Sequence, residues 1–309
     1  MKKPAERIAA ELGDPELIKR LIHLPASELT SLLLEVTRGR ARRPADLVAQ
    51  YARDRAVQPT SDDPRALLVV ETHAFAAAGA FEPITLSPVA PLGLNVVLGE
   101  IDQNSTLAAV RNLEVLADPT TVLALETARR HTVGVDVDVR LAAAARMLRM
   151  QPFDNPAFSP HFAIFALTTG GRGRPVYGFE LAALDEHVAA HLGLFARLAA
   201  AGFRLSDAHV EIADSTHDEA RLTAVEHELF PSLRARFPAA TFTLDPARTH
   251  AMAYYRGLCF HISARGTDGN MHQLSDGGST DWLARLTSNR KLRFFVSGLG
   301  SELLLRRFQ

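Results

Sequence analysis

The sequence is short of cysteine, of net charge and of long apolar runs. Cys259 is the only cysteine among 309 residues, which excludes an internal disulfide and a thiolate cluster for zinc or iron. A single thiol is typical of a reducing compartment, so the expected location is cytoplasmic. The 34 Lys and Arg residues against 35 Asp and Glu leave no overall field that would draw the chain onto nucleic acid or an anionic membrane.

Apolar residues make up 47% of the chain, but charges interrupt them. No stretch approaches the roughly 18 uncharged apolar residues of a membrane helix. Glu6, Arg7 and Glu11 interrupt the N-terminus where a signal peptide would be apolar. We therefore expect a soluble globular protein with no membrane partner.

Residues 1–60 are predicted to form a small helical cap, because Leu29, Leu33 and Val36 recur on one helical face. A basic cluster lies between its two strongest helices and consists of Arg38, Arg40, Arg42 and Arg43. This cluster leaves RNA contact open, although the net charge does not support it. The alternative is a solvated helix end favoured by the helix dipole.

Residues 61–309 are predicted to form the core. Asp63 and Pro64 suit the start of a helix that runs to about residue 78. Two extended runs, 92–101 and 110–116, predict a long-looped antiparallel hairpin, after which Asp118 and Pro119 begin another helix. Further strands are predicted at 81–86, 161–168, 209–212, 242–244, 254–263 and 294–296, and further helices at 181–201 and 219–236. Hairpins and helices alternate without a steady βαβ rhythm, which favours an α/β (α+β) fold with a mainly antiparallel sheet flanked by helices.

Three segments, in this order, resemble the class II aminoacyl-tRNA synthetase core. The predicted hairpin and the helix through Glu126 resemble the second motif, which holds ATP and the amino-acid carboxylate. The segment Ala253-Tyr-Tyr-Arg-Gly-Leu-Cys-Phe-His-Ile262 is similar to the Tyr-Tyr-Thr-Gly loop and strand that line the histidine pocket of histidyl-tRNA synthetase. Asp276-Gly-Gly-Ser-Thr-Asp-Trp-Leu283 and the run 294–305 resemble the glycine-rich segment and the third motif. The same resemblance extends to the regulatory subunit of ATP phosphoribosyltransferase.

The resemblance implies a ligand-binding site on a single curved sheet, in which the stretches near 100–115, 255 and 300 lie side by side. Its candidate residues are Glu100, Arg111, Glu114, Tyr254, Tyr255, Gly257, Gly277, Gly278, Asp281, Gly298, Gly300 and Glu302. Other interpretations stay open for several of them. The tyrosines could be core or rim residues, the glycine pairs could be turns, and Arg111 with Glu114 could be a surface ion pair.

Four departures from the family pattern affect the residues that handle ATP phosphates. No arginine stands beside Glu100 on the first predicted strand, and Leu303 replaces the arginine of the third motif. His250 replaces the arginine before the tyrosine pair, and Ser279 with Thr280 replaces an Arg-Tyr pair. ATP and Mg²⁺ are therefore implied only if amino-acid activation is retained, because adenylate formation depends on neutralising phosphates.

The sequence thus indicates a class II synthetase-like paralogue that binds a small molecule, an amino acid or a nucleotide. No anticodon-binding domain is recognisable before Gln309, so standard tRNA charging is not expected. One alternative is an ATP-dependent ligase that adenylates an amino acid for a different acceptor, and another is a non-catalytic regulatory subunit. The resemblance also implies a homodimer formed through the helix 64–78 and the strand 81–86.

No catalytic residue and no metal ligand is assigned from the sequence. His161, His250, His261 and His272 lack the spacing of helical metal sites and are expected to be satisfied or exposed. The glycine-rich basic segment Gly170-Gly-Arg-Gly-Arg174 lacks the Lys-Ser/Thr of a phosphate loop and is predicted to be a mobile turn.

Overall fold

The computed structural model describes residues 3–41, 43–151, 158–249 and 254–309. Its first four helices are α1 (Pro4–Glu11), α2 (Leu17–Ile22), α3 (Ala26–Arg40) and α4 (Pro44–Tyr51). Among the residues of these helices whose burial is described, only Ala9 is buried. The N-terminal segment is therefore helical, as the apolar periodicity predicts, but it contributes little to a core.

An eight-stranded sheet forms the centre of the protein, in the order β1-β5-β6-β11-β10-β9-β7-β8. All neighbouring strands are antiparallel except the β1–β5 and β7–β8 pairs at the two edges. This arrangement confirms the predicted mainly antiparallel sheet. The strands are β1 (Glu82–Pro83), β5 (Val139–Leu148), β6 (His161–Arg172), β7 (Ser206–Asp214), β8 (Thr241–Leu244), β9 (Leu258–Arg265), β10 (Met271–Thr280) and β11 (Leu292–Gly300).

A second, three-stranded sheet consists of β2 (Val89–Pro91), β3 (Ala108–Ala109) and β4 (Leu113–Val115). The remaining helices are α5 (Pro64–Ala77), α6 (Leu94–Gly99), α7 (Pro119–Thr132), α8 (Gly178–Ala200), α9 (Glu219–Ala224), α10 (Phe230–Arg236), α11 (Trp282–Thr287) and α12 (Ser301–Phe308). A π-helical turn, Val225–Leu229, joins α9 to α10, so the predicted helix 219–236 is continuous with one irregularity.

The two faces of the large sheet are covered by different helices. On one face, Phe260 and Phe295 pack in a cluster that includes the buried side of α8. On the other face, Cys259 and Val296 pack in a cluster that includes α7 and Trp282 of α11. Neighbouring residues of a strand point to opposite faces, so the alternation along β9 and β11 produces these two layers.

The predicted hairpin over residues 92–116 is wrong. Residues 94–99 are helical, and only Leu113–Val115 of the second run is a strand, which belongs to the small sheet. The cause is the buried carboxylate of Glu114, which accepts hydrogen bonds from the backbone N–H groups of Gly93 and Asn95 at 2.9 Å each. It satisfies N–H groups that the first turn of a helix leaves unpaired. The stretch 100–115 is consequently not in one sheet with 255 and 300, as the sequence analysis expected.

An antiparallel pair of strands followed by a helix does occur, but further along the chain. β5 pairs with β6 along its whole length, from Val139 opposite Gly170 to Leu148 opposite His161, and α8 follows β6. β5 is not among the predicted strands. The segment 170–174 also differs from its prediction, because Gly170–Arg172 form the end of β6 and are not a turn.

Candidate functional site

A cleft of about 480 Å³ opens on the α7 side of the large sheet. Its size lies within the range of small-molecule sites. Residues that are far apart in the chain line it: Asp118, Thr120, Arg149, Ile164, Tyr254, Tyr255, residues 273–276 and residues 296–300. β6, β10 and β11 form its floor, and β10 carries Asp276, whereas Asp118, Arg149 and the two tyrosines lie outside the strands and form its walls.

Asp118 holds one wall of the cleft in place. Its Oδ1 accepts hydrogen bonds from the backbone N–H of Thr120 at 2.9 Å and from the Thr120 hydroxyl at 2.6 Å, so the residue begins α7 as an N-cap. Its Oδ2 accepts a hydrogen bond of 3.2 Å from the Tyr254 hydroxyl and lies 3.7 Å from Arg149 Nη2. One carboxylate therefore links the helix start, an aromatic ring and a cation.

Asp276 has the corresponding role on the opposite side. Its carboxylate accepts hydrogen bonds from the Tyr255 hydroxyl and, at 2.8 Å, from Arg248 Nη2. The Arg248 guanidinium is buried and lies 5.9 Å from the centre of the Tyr255 ring. Burial, followed by the charge of Asp276, raises the pKa of Tyr255 well above its ordinary value. Burial, followed by the charge of Asp118, also raises the pKa of Tyr254 well above its ordinary value. Both hydroxyls are therefore neutral hydrogen-bond donors.

The cleft combines both signs of charge with an apolar surface. Arg149 supplies a guanidinium, Asp118 and Asp276 supply carboxylates, and Ile164, Val296 and Leu299 supply apolar contacts. A ligand with an ammonium group and a carboxylate would find an opposite charge for each. The geometry therefore offers recognition of such a ligand.

The structure brings some of the predicted site residues together. Tyr254, Tyr255, Gly298 and Gly300 line the cleft. Gly278 on β10 lies directly under Tyr255, since a Cβ there would be 2.6 Å from a carbon of that ring. For these residues a binding role stays a prediction.

Other predicted residues lie elsewhere. Gly277 faces the α8 side, where a Cβ would approach the Phe260 ring to 2.6 Å. Glu100 ends α6 and binds Arg256 at 3.1 Å, and Arg111 is exposed in the turn before β4. Asp281 is at the start of α11 and contacts Arg285 at 3.4 Å. None of these side chains lines the cleft.

Two further candidates have contacts that explain them without a ligand in this cleft. Glu114 is fully buried, and its carboxylate accepts hydrogen bonds from the backbone N–H groups of Gly93 and Asn95 at the start of α6. These contacts take the place of the predicted ion pair with Arg111. Gly257 has a φ of +122°, and its N–H donates to the Ser215 hydroxyl at 2.7 Å. A side chain at that position would be strained, so glycine is required there for the backbone alone.

Glu302 lines a neighbouring cleft of about 350 Å³, which shares Arg149 and Gly300 with the first. Glu302 is nearly buried and binds Arg146, while Leu303 also lines this cleft. Arg306 is one turn further along α12, and its Nε and Nη2 bind the Asp62 carboxylate at 2.8 and 2.5 Å. The Arg306 guanidinium is thus engaged with Asp62, and Leu303 contributes no charge to this cleft.

Sequence reasoning missed several residues that shape the cleft. Asp118 was recognised only as a helix cap, Asp276 was only part of a glycine-rich segment, and Arg149 carried no signal because its strand was not predicted. Arg248, which contacts Asp276, lies two residues before His250, and His250 is outside the described residues together with Ala253. A signal was present for Asp118 alone, in the capping sequence Asp-Pro-Thr.

The remaining sequence candidates have local partners. His261 binds Glu211 at 2.6 Å, His272 binds Asp268 at 2.8 Å, and His161 contacts the Gln58 carbonyl at 2.6 Å. Nowhere in the described ranges do three His, Cys, Asp or Glu side chains come together as a metal site. No described helix is both long and apolar enough to cross a membrane.

The basic cluster near residue 40 is partly engaged in ion pairs on the surface. Arg38 binds Glu35 at 3.0 Å and Arg43 binds Asp46 at 3.1 Å, while Arg42 lies outside the described residues. These pairs favour the interpretation as a solvated helix end, and RNA contact stays a prediction.

The mainly antiparallel sheet with helices on its two faces has the class II aminoacyl-tRNA synthetase-like fold, which solved structures share. Neither a protein-family model nor a curated protein matches the sequence. The structural likeness is therefore the basis for placing this chain among class II synthetase-like folds.

Three solved structures illustrate the likeness. An ATP phosphoribosyltransferase regulatory subunit/histidyl-tRNA synthetase from Bacillus halodurans has a TM-score of 0.60 at 14% identity, over 81% of this chain and 82% of that chain. A histidine–tRNA ligase subunit from Alicyclobacillus acidocaldarius has a TM-score of 0.56 at 13% identity, over 82% and 96%. The apo histidyl-tRNA synthetase of S. aureus has a TM-score of 0.56 at 15% identity, over 78% of this chain but only 64% of that chain.

Proposed function

We propose that the protein binds a small zwitterionic ligand of the amino-acid class in the cleft between Asp118 and Asp276, without activating it with ATP by the class II route. The observation that carries this proposal is the meeting of two carboxylates, one guanidinium and two neutral tyrosine hydroxyls in one cleft. The fold neighbours support the ligand class, because those proteins are described as histidyl-tRNA synthetases or a regulatory subunit.

Arg149 is the group expected to meet the ligand carboxylate. It lies at the start of the loop after β5, is partly exposed, and is anchored by its Nε at 3.1 Å from the Ala117 carbonyl. This contact uses one of the five N–H donors of the guanidinium and leaves others for a carboxylate. Asp118 and Asp276 are the groups expected to meet the ammonium, since both line the same cleft.

The contacts around α12 support binding without activation. Leu303 provides no charge, Arg306 is paired with Asp62, and Glu302 is paired with Arg146. For comparison, the loss of one oxyanion-hole donor costs an enzyme about 2.7–4 kcal/mol of transition-state stabilisation. An amino-acid ligase function therefore has less support than a binding or a regulatory function.

Calorimetry with histidine, the other amino acids and ATP tests the proposal. The expected result is saturable binding of at least one amino acid, which Arg149→Gln weakens about tenfold or more, as expected for a charge-assisted contact. Arg53→Gln changes an exposed arginine outside the cleft and is the matched control. Absence of binding by every amino acid, or equal binding by both variants, would contradict the proposal. Pyrophosphate exchange with any amino acid would instead establish the ligase.

A regulatory or assembly role is the second candidate, and it includes the homodimer implied by α5 and β1. Its support is that Leu68 and Val69 of α5 are exposed, while Val70 and Ala74 of the same helix are buried in the core. Light scattering at micromolar concentration should give twice the mass of one chain, and Leu68→Glu should lower it. A monomeric wild-type protein would contradict this role for α5.

A further inference from the structure

A second and larger cleft, of about 960 Å³, lies at the other end of the β10–β11 pair. Thr280 and Phe294, which face each other across the two strands, line this cleft, whereas Ser275 and Leu299 line the first. Five residues of extended strand separate the two positions, or roughly 17 Å. The two clefts share no lining residue within the described ranges, so the second is a separate place on the molecule.

Cationic side chains dominate the lining of this second cleft. Glu180 is the one carboxylate among the described lining residues, and Arg221 approaches from α9. Six further cations come from the end of β6 and the residues after it, from the residue after Tyr255, and from the start of β11 and the residues before it: Arg172, Arg174, Arg256, Arg290, Lys291 and Arg293. Cations collected on a concave surface raise the local concentration of anions.

Five of the seven cations are paired with carboxylates among the described residues. Glu180 lines the cleft and binds Arg293 at 3.2 Å, whereas the partners of Arg221 and Arg256, at 2.6 and 3.1 Å, do not line it. Arg172 binds Asp136 at 2.8 Å and Arg174 binds Asp138 at 2.8 Å, and neither aspartate lines the cleft. Such pairs orient each guanidinium while leaving several of its five N–H donors for another acceptor. No ion pair of Arg290 or Lys291 occurs in the part of the chain that the structure describes.

Buried polar atoms on the cleft floor give an independent sign of a ligand. Ser279 and Thr280 are more than nine-tenths buried, and both line the cleft. Within the described ranges, neither hydroxyl oxygen has a hydrogen-bond partner, and the same holds for the buried Nε of Arg221. Buried polar groups in folded proteins are nearly always paired. The Ser279 hydroxyl and the Arg221 guanidinium both lie beside Gly257, so their unpaired atoms call for a partner from outside the chain.

Two glycines leave space for the guanidinium groups of Arg221 and Arg293 at this cleft. A Cβ on Gly257 would lie 2.9 Å from Nη1 of Arg221, and a Cβ on Gly173 would lie 3.3 Å from the central guanidinium carbon of Arg293. The backbone at both points therefore allows a guanidinium to approach closely. The glycine-rich basic segment 170–174 thus forms one rim of the cleft.

We propose that this second cleft binds a small molecule that carries two or more phosphate groups. Guanidinium groups bind phosphate oxygens in pairs, and hydroxyl groups donate to the remaining ones. Several cations spread over one cleft match a polyphosphate better than a single carboxylate. The volume is at the upper end of the range for small-molecule sites, which suits a ligand of nucleotide size.

Calorimetry at low salt with tripolyphosphate, pyrophosphate and inorganic phosphate tests the proposal on the full chain. Affinity should rise with the number of phosphates, and Arg290→Gln with Lys291→Gln should weaken tripolyphosphate binding tenfold or more. The matched control, Lys19→Gln with Arg20→Gln, removes the same charge from exposed residues of α2 and should leave binding unchanged. Tyr254→Phe, in the first cleft, should also leave it unchanged.

A second variant separates binding from folding. Ser279→Ala removes the unpaired hydroxyl beside Arg221, so the ligand-free protein should unfold at the same or a higher temperature while tripolyphosphate binds several-fold more weakly. No tripolyphosphate binding at millimolar concentration, or an equal loss in the charge-matched control, would overturn the proposal. Tighter binding of single-stranded oligonucleotides that increases with their length would also overturn it, in favour of a nucleic-acid surface.

Discussion

Gly278 and Gly298 lie on neighbouring strands of the same site but tolerate a side chain very differently. A Cβ on Gly278 would lie 2.6 Å from the Tyr255 ring and 2.8 Å from the Leu258 carbonyl oxygen. A Cβ on Gly298 would meet only Ile164, at 3.6 Å, which is ordinary van der Waals contact. The first glycine is thus required by packing, whereas the second leaves room above the sheet.

We predict that Gly278→Ala lowers the free energy of unfolding by about 1–3 kcal/mol, because the added methyl group overpacks a closed site. Gly298→Ala should change it by less than about 1 kcal/mol, since it mainly restricts the unfolded chain. Urea denaturation of both variants and the wild type measures the difference. Equal effects of the two substitutions would show that Tyr255 does not pack on Gly278.

His187 and His191 form a buried polar pair on the α8 side of the sheet. His187 Nδ1 lies 2.7 Å and His191 Nε2 lies 2.9 Å from the Ser297 hydroxyl. Burial lowers the pKa of His191 to about 3, and burial together with His191 lowers the pKa of His187 well below its ordinary value. Both imidazoles are therefore neutral in the folded protein at pH 7.

We predict that stability falls as the pH is lowered from 7.5 to 5.5. The unfolded chain takes up protons at these histidines near pH 6.5 and the folded chain does not, so the stabilisation is complete above that pH and is lost progressively below it. Each histidine contributes a slope of up to about 1.4 kcal/mol per pH unit. Denaturation across this pH range should show a smaller slope for His191→Gln, whereas His227→Gln, an exposed control, should keep the wild-type slope.

At the scale of the element, α6 depends on a contact that no local pattern reveals. Glu114, about 20 residues further along the chain, accepts hydrogen bonds from Gly93 N, Asn95 N and the Asn95 side chain. The helix has six residues, which is too short to be stable by itself. The carboxylate is therefore the feature that selects a helix over the predicted strand.

Glu114→Gln should lower the free energy of unfolding by about 1–3 kcal/mol, because its amide NH₂ would face backbone donors in a buried site. Hydrogen exchange at the Gly93 and Asn95 amides should accelerate more than exchange in β10. Glu35→Gln, on the exposed surface of α3, is the control and should change neither quantity appreciably. Unchanged protection of the two amides in Glu114→Gln would refute the role of this carboxylate.

The elements that sequence reasoning found are those defined by local chemistry. Asp63 and Asp118 each cap a helix through a hydrogen bond to the second following backbone N–H, and both helices begin at the predicted proline. β5 was not predicted because Ala142 to Ala145 have low strand propensity. Its pairing with β6 depends on contacts within the whole sheet, which the local sequence does not reveal. The site was only partly predictable for the same reason, since Asp118 and Tyr254 meet across 136 residues of chain.

At the scale of the whole molecule, the two ends of the chain contribute very differently to the core. The helices α1 to α4 expose apolar side chains such as Leu47 and Val48 and bury little. The C-terminal helix α12 buries Leu304 and Phe308 completely, and its Arg306 holds Asp62 just before α5. Asp62, which this ion pair ties to the core, therefore lies just after the boundary predicted near residue 60.

A chain that begins at residue 61 should fold by itself, with a midpoint of thermal unfolding within about 5 °C of the full-length value, because little buried apolar area is removed. A chain that ends at Gly300 should fail to fold cooperatively, although it loses far fewer residues, because the cavity left by Leu304 and Phe308 would cost several kcal/mol. Calorimetry of the three proteins measures both effects. Loss of the unfolding transition in the chain from residue 61 would show that the helical cap is part of one cooperative unit with the sheet.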